Sequence, residues 1–347
     1  MAKMNNKIEL LSLPRSTGSL DIMTLVGNRL SVHGWMFQPG QSFDYIEAYL
    51  DGRPVGQVEP AIRPDVVKAY AWLKDARPSG FSLEMPTEGV TPTRLDLVGY
   101  VDKMPIAWLS CLLPCEADIR LPLPPTQLAQ RVSGFHGPAF RAQGLRMFTD
   151  LFDQMTRLGI PTNRRIMDWG CGCGRVTHYL LTRLTEAKIF GCDIDEQAIE
   201  WCRENLGADF IRVEPAPPTP FNTSDVDVII ACSVLTHLSE AEQDKWLDEM
   251  RRILVPGGYF LASTHGQYAF QMAHPEQPSG SPCHLSGITD SQLDTTLDGI
   301  APSGYYRAAF QSRDHTVKVC AKYFEVVDYV ERGLCGHQDL IILRRAK

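Results

Sequence analysis

Three glycines at alternate positions, Gly170, Gly172 and Gly174, follow Asp168 at the end of the short apolar stretch Ile166-Met167. Residues without Cβ can take positive φ and let a ligand come up against the main chain. A helix-like pattern opening at Arg175 would point unpaired N–H groups and a partial positive charge at the same place. These features describe a cradle for a small ligand beyond the end of a strand. A second acid, Asp193, ends the next apolar stretch, nineteen residues after Gly174, where it suits a ribose. Two histidines, His237 and His265, follow the fourth and fifth predicted strands and project toward the same edge. Imidazole titrates near neutrality, so either could take a proton from an oxygen or nitrogen nucleophile; the competing role for each is that of a hydrogen-bonded structural histidine. His136, His274, His284 and His337 are weaker candidates, and His178 reads as structural. Cys171 and Cys173 could suggest redox chemistry, but small side chains filling a tight loop explain them more simply.

The elements that must hold these residues alternate strand and helix from Arg165 onward. The first helix carries Val176, Tyr179, Leu180 and Leu184 on one face. A strand over Lys188 to Asp193 leads to a helix with Ile199, Cys202 and Leu206 aligned, ended by Gly207. Phe210 to Val213 is a short third strand, and Val226 to Ala231 is an apolar run suited to burial on both faces. Ser239 and Glu242 form a capping box for a helix bearing Trp246, Leu247, Met250, Ile253 and Leu254, stopped by Pro256-Gly257-Gly258. Tyr259 to Thr264 is the fifth strand. This alternation predicts a parallel sheet with helices on both faces and a ligand at the carboxyl ends of its strands. Residues 266 to 304, rich in Gly, Pro, Ser and His, are too long for a routine connection, so 266–322 is expected to be a substrate lid. A helix near Ser312 to Lys322 precedes strands Phe324 to Val330 and Asp339 to Leu343, which a turn through Gly333 and Gly336 would join as an antiparallel hairpin at the sheet edge.

Residues 18–113 read differently. Leu30 to Phe37, Tyr45 to Leu50, Phe81 to Met85, Leu95 to Leu97 and Ile106 to Trp108 are short strands, and Asp51-Gly52 is a hairpin dipeptide. Apart from a possible helix over Asp65 to Leu73 there is no helical period, so a small all-β sandwich is expected. Trp35, Trp72, Trp108 and Phe81 are its core aromatics, or else a platform for stacking sugars. The proline-rich stretch at 114–130 reads as a linker. Beyond it a helix over Pro138 to Leu158 offers His136 and Arg141 as substrate contacts, against a plain packing role.

The 347 residues, 44% hydrophobic and 22% charged with a formal charge of -7, fit two globular domains and offer no basic stripe to nucleic acid. The ten cysteines show no C-x2-C pair and read as free thiols of a reducing cytoplasm, with no metal site expected. No apolar run reaches the roughly 18 residues of a membrane span or marks a signal peptide, so a cytoplasmic protein is expected.

A sheet of this kind could hold a nicotinamide, a flavin or S-adenosylmethionine. The dinucleotide fingerprint G-x-G-x-x-G is not met by D-W-G-C-G-C-G-R. Four ordered stretches, IMDWGCGCGR, IFGCDID, DVDVIIACSVLTHL and MRRILVPGGYFLAS, make residues 164–264 resemble a class I S-adenosylmethionine-dependent methyltransferase. The likeness extends through YFEVVDYVERGLCGHQDLIIL. It implies a Rossmann-like seven-stranded sheet, parallel with an antiparallel edge strand, over 131–347. It also implies that Gly170, Gly172 and Gly174 line the methionine part of the cofactor, with Cys171 and Arg175 in the same loop and Asp168 near the amino group. Asp193 would accept the ribose hydroxyls, Ile194 would lie on the adenine, and Cys232 and Ser233 would face the methyl end. Where many members place an acid after the third strand, this chain has Val213-Glu214-Pro215. The GW, DG, RPDV and SGF pattern of the front region resembles small β-sandwich domains beside bacterial enzymes of surface-polysaccharide assembly, which implies a glycan-related setting.

These readings together predict O-methylation of a sugar, glycan or related small-molecule hydroxyl, with no nucleic-acid partner. A protein or lipid-linked acceptor held by the front domain is a variant of the same chemistry. A non-catalytic cofactor-binding regulator and an NAD-dependent oxidoreductase are the competing classes.

Overall fold

A computed structural model describes residues 13–70, 78–87, 93–274 and 284–347. The chain divides into two compact units, one comprising residues to 120 together with 137–150, the other 121–136 together with 151–347.

The first unit holds eight strands: β1 (Thr17–Val26), β2 (Arg29–Phe37), β3 (Tyr45–Leu50), β4 (Arg53–Val58), β5 (Ala61–Ile62), β6 (Pro78–Pro86), β7 (Arg94–Val101) and β8 (Met104–Leu112). They form two four-stranded sheets, ordered β1-β2-β6-β5 and β4-β3-β7-β8, antiparallel at every pairing. Period-two burial supplies the core: Leu30 and Val32, Ile46 and Ala48, and Leu95 and Leu97 are fully enclosed. Asp51 (φ 47°) and Gly52 (φ 79°) both take the left-handed conformation that a two-residue hairpin turn requires. Phe81 and Trp108 are buried and half-buried Trp35 stacks on Phe37 at 5.7 Å, so these three are packing aromatics. Trp72 lies outside the described residues. The expected helix near Asp65 is the short Pro64–Ala69.

The proline-rich stretch expected as a linker carries a helix at Glu116–Arg120 and the start of a second at Thr126–Ser133. Arg141 is a structural residue, correcting its candidacy for substrate contact: its guanidinium donates to the carbonyls of Asp118 and Ile119 at the end of the first of these helices. It lies on the long helix Gly137–Arg157, where Thr149 also accepts a hydrogen bond from the Leu112 amide at 3.0 Å.

The second unit is built on β9 (Arg165–Trp169), β10 (Lys188–Asp193), β11 (Asp209–Arg212), β12 (Val226–Ala231), β13 (Leu254–Thr264), β14 (Ile288–Leu293), β15 (Arg307–Gln311), β16 (Glu325–Leu334) and β17 (Gln338–Arg344). Seven of them make one sheet in the order β11-β10-β9-β12-β13-β17-β16. The first five run parallel, while β17 is antiparallel to both its neighbours. The closing hairpin therefore sits at the edge with its antiparallel strand one place in. Strand order reverses between β9 and β12, and that switch point opens a crevice beyond their carboxyl ends. Val228, Ile229 and Ile230 of β12 are wholly buried, as its apolar run requires. The helix Glu240–Ile253 ends before Pro256-Gly257-Gly258, which lies within β13 instead of stopping the helix. The stretch expected to be an irregular lid contains a helix, Gln267–Ala273, and an antiparallel hairpin of β14 and β15; residues 275–283 lie outside the described part.

Candidate functional site

The glycine loop leaves β9 at Trp169 and reaches the helix Thr177–Arg183. Gly170 and Gly172 have φ of 74° and 52°, and neither has room for a Cβ. One at Gly170 would meet Val234 Cγ2 at 2.4 Å, and one at Gly172 would meet Val132 Cγ1 at 2.2 Å. The loop is thus turned through positive φ and packed against Val234 and Val132 on the Cβ side of these two glycines. Gly172 N–H donates to Asp193 Oδ2 at 2.7 Å, while Asp193 Oδ1 accepts from the Asp195 amide at 2.9 Å. One carboxylate thereby ties the loop to the end of β10.

Asp168 is 2% exposed, and the Thr177 hydroxyl donates to it at 2.6 Å. Burial pushes its carboxyl up to about 7, with Asp193 adding to the rise and Thr177 and Arg175 opposing it. Asp193 is raised too, chiefly by desolvation. Two enclosed carboxyls beside a glycine cradle suit a ligand that brings its own cationic group and hydroxyls.

These residues face one cleft, lined also by Cys171, Arg175, Ile194, Cys232, Ser233 and His237. Of the ten cofactor residues expected from sequence, nine line it. Gly174 does not; its position is fixed by packing, since a Cβ there would meet Leu206 Cδ1 at 2.5 Å. Ser233 takes φ 59°, held by its amide to Ser263 Oγ at 2.8 Å and by its hydroxyl to Gln338 Oε1 at 3.2 Å.

The two histidines differ. His237 Nδ1 lies 2.9 Å from the Arg307 carbonyl, so Nδ1 carries the hydrogen and Nε2 is left as the basic nitrogen. Its ring stacks on Tyr306 at 4.0 Å, burial lowers its pKa below 6.5, and the Asp294 carboxylate stands 3.9 Å from Nδ1. His265 is absent from the lining. Its ring stacks on Phe310 at 5.1 Å, and Nε2 lies 3.4 Å from the Gln338 amide nitrogen, which can only donate. Burial, with His337 and His237 nearby, pushes it down to about 3. Its accepting nitrogen is engaged within the protein, and the ring centroids of the two histidines are 6.3 Å apart. His178 is buried, and His136 meets Gln130 at 3.3 Å away from the cleft lining.

Several lining residues carry no sequence signal of their own. Arg131 and Val132 come from the helix Thr126–Ser133; Arg131 grips Asp195 at 2.7 and 3.1 Å. Trp246 packs at a tilt against Trp169, 5.0 Å between ring centroids. Leu297, Tyr305 and Tyr306 arrive from the loop joining β14 to β15. Burial pushes the thiols of Cys171 and Cys173 up, which makes them inert filler of the loop. No disulfide joins any two of the described cysteines, and no described cluster of His, Cys, Asp or Glu could hold a metal. Among the described residues no helix is long and apolar enough to cross a membrane.

Residues 166–258 match the family model described as a methyltransferase domain. The chain is 32% identical over 149 residues to a tRNA N(3)-methylcytidine methyltransferase of Drosophila melanogaster, covering 39% of this chain and 46% of that protein. It is also 32% identical over 101 residues to a fatty-acid O-methyltransferase of Mycolicibacterium smegmatis, covering 28% and 36%. The chain thus spans under half the length of these curated relatives. An S-adenosylmethionine-dependent methyltransferase structure from Methanosarcina mazei aligns with a TM-score of 0.42 and 18% identity, over 55% of this chain and 97% of that one. The matched segment runs from β9 into β13 and contains the glycine loop, Asp193 and His237.

Proposed function

We propose that this chain, whose second unit carries a class I S-adenosylmethionine-dependent methyltransferase domain, methylates a hydroxyl of a sugar, glycan or related small molecule, with His237 as the base. The observation that carries the base assignment is the hydrogen bond from His237 Nδ1 to the Arg307 carbonyl, which leaves Nε2 as the acceptor.

The cofactor fits the cleft on two counts: Gly170 and Gly172 line it with positive-φ backbone that carries no side chain, and buried Asp168 accepts from the Thr177 hydroxyl, its carboxyl raised by burial against a partly opposing Arg175 charge. When bound, S-adenosylmethionine would supply an electrophilic methyl group on a sulfonium for transfer to the acceptor oxygen. The protein's share is to align the partners, exclude water and receive the proton. Asp168 would hold the amino group, Asp193 the ribose hydroxyls, Ile194 the adenine, and Cys232 and Ser233 the methyl end. His237 Nε2 takes the acceptor proton, and Asp294 steadies the imidazolium through Nδ1. Neutral His265 acts with Gln338 to hold Ser233 in place. The stretch 266–322 would serve as lid.

The sugar acceptor rests on the glycan-related resemblance of the front unit. The named relatives act on tRNA and fatty acid, so the mild acidity of the chain does not remove nucleic acid from the acceptors to be tried. The test has two arms. Saturating S-adenosylhomocysteine raises the melting temperature while NAD does not; no shift with the former sinks the cofactor reading. Incubation with labelled S-adenosylmethionine and separate glycan, lipid and RNA fractions then places the label in the glycan fraction; label in RNA or lipid alone overturns the acceptor.

A further inference from the structure

The cleft is not closed by the sheet alone. Leu297, Tyr305 and Tyr306 stand among Asp168, Gly170 and Asp193 in its lining, and all three come from the β14–β15 hairpin. Its ladder extends to the cleft, since the Asp294 amide donates to the Tyr306 carbonyl at 3.0 Å. Bonds to Trp246, Glu240 and His237 dock it on the elements after β12, and one between Arg307 and Asp290 braces the hairpin itself. Trp246 Nε1 donates to the Tyr305 hydroxyl at 3.1 Å, and the Glu240 amide donates to Asp290 Oδ2 at 2.9 Å. Arg307 donates to the Asp290 carbonyl at 3.1 Å, and His237 donates to the Arg307 carbonyl at 2.9 Å. Tyr306 lies flat on His237, 4.0 Å between centroids and 13° between planes. Its hydroxyl is held neutral by burial and feels the charges of Asp294, Asp193 and Arg175.

We propose that Tyr306 is a cofactor-contacting residue: the β14–β15 hairpin closes on the methyl donor itself, so that cofactor binding and hairpin docking stabilise each other. This rests on the reading of the cleft as the S-adenosylmethionine site. The coupling is reciprocal by linkage: whatever favours the docked hairpin tightens the cofactor, and the cofactor favours the docked hairpin. It also makes the base conditional, because the carbonyl that fixes the His237 tautomer belongs to the hairpin. An undocked hairpin leaves His237 free to rotate and to exchange tautomers.

Amide hydrogen exchange over residues 288–311, with and without S-adenosylhomocysteine, tests this alongside calorimetric titration of the same ligand. In the wild-type chain the ligand slows exchange across the hairpin. In Tyr306→Ala the affinity falls about tenfold, the scale of one lost aromatic contact, and the protection disappears. Tyr306→Phe keeps the ring and restores both, which separates a lost contact from a misfolded variant. Unchanged exchange in the wild type despite ligand binding, or wild-type affinity and protection in Tyr306→Ala, overturns the proposal. Failure of the ligand to bind the wild-type chain overturns the cofactor reading instead.

Discussion

Asp168 and His237 carry opposite pH signatures. Burial raises the Asp168 carboxyl from 3.8 to about 7, so the folded chain keeps a proton that the unfolded chain has already released. The stability this group contributes is greatest below pH 3.8, declines as pH climbs toward 7, and is level beyond it. In its proposed place beside the cofactor's ammonium group, Asp168 must be ionised. S-adenosylhomocysteine affinity should therefore rise with pH by up to about tenfold per unit until pH 7 and then flatten. Asp168→Asn should weaken binding and abolish the slope; a variant that kept the slope would assign it to another group. His237 is depressed below 6.5 and is neutral at physiological pH. With the acceptor found by fractionation, the acidic limb of kcat should lie below pH 6.5. His237→Ala should lose on the order of 100-fold or more in kcat, while His265→Ala keeps most of its turnover; the reverse ranking would exchange their roles. Sequence placed both histidines after the correct strands. It could not separate them, because what distinguishes them is Arg307, Gln338 and Phe310, which are distant in the chain.

At the scale of the element, the glycine loop was the most legible part of the molecule, because positive φ and a missing Cβ leave a direct trace in residue type. Gly172→Ala places a Cβ 2.2 Å from Val132 Cγ1 at φ 52°, which should cost about 1–3 kcal/mol of stability and weaken S-adenosylhomocysteine. Adding Val132→Ala relieves the clash but not the φ strain, so urea unfolding should show partial recovery, with a coupling between the two sites. Full recovery would mean that the backbone tolerates alanine there. The β14–β15 hairpin was illegible for the opposite reason. Ile288–Leu293 is largely exposed and polar, and Arg307–Gln311 buries only its last three residues, so neither shows a full period-two pattern. The helix Thr126–Ser133 was hidden in a proline-rich run, and with it Arg131 and Val132. Gly174 shows the converse limit: glycine marks close approach without saying whether a ligand or Leu206 is the neighbour.

For the whole molecule, the alternation from Arg165 onward was sufficient to predict the parallel sheet and its ligand edge, since parallel strands need long crossovers, helical here between β9 and β10, β10 and β11, and β12 and β13. The acceptor left no such trace. The stretch expected as a lid, residues 266–322, follows no repeating pattern over its length. The strand order has a further consequence, one of timing. Between them, β12 and β17 satisfy both edges of β13, but residues 338–344 leave the ribosome more than seventy positions after Thr264. Until then β13, with its buried FLAS run, has one unpaired flank, a row of open amides and carbonyls able to recruit any extended segment nearby. Most of the second unit can assemble as it emerges, yet the open flank of β13 is sealed only once β17 has followed. Nascent chains arrested before β17 are therefore the species most exposed to aggregation and most dependent on chaperones.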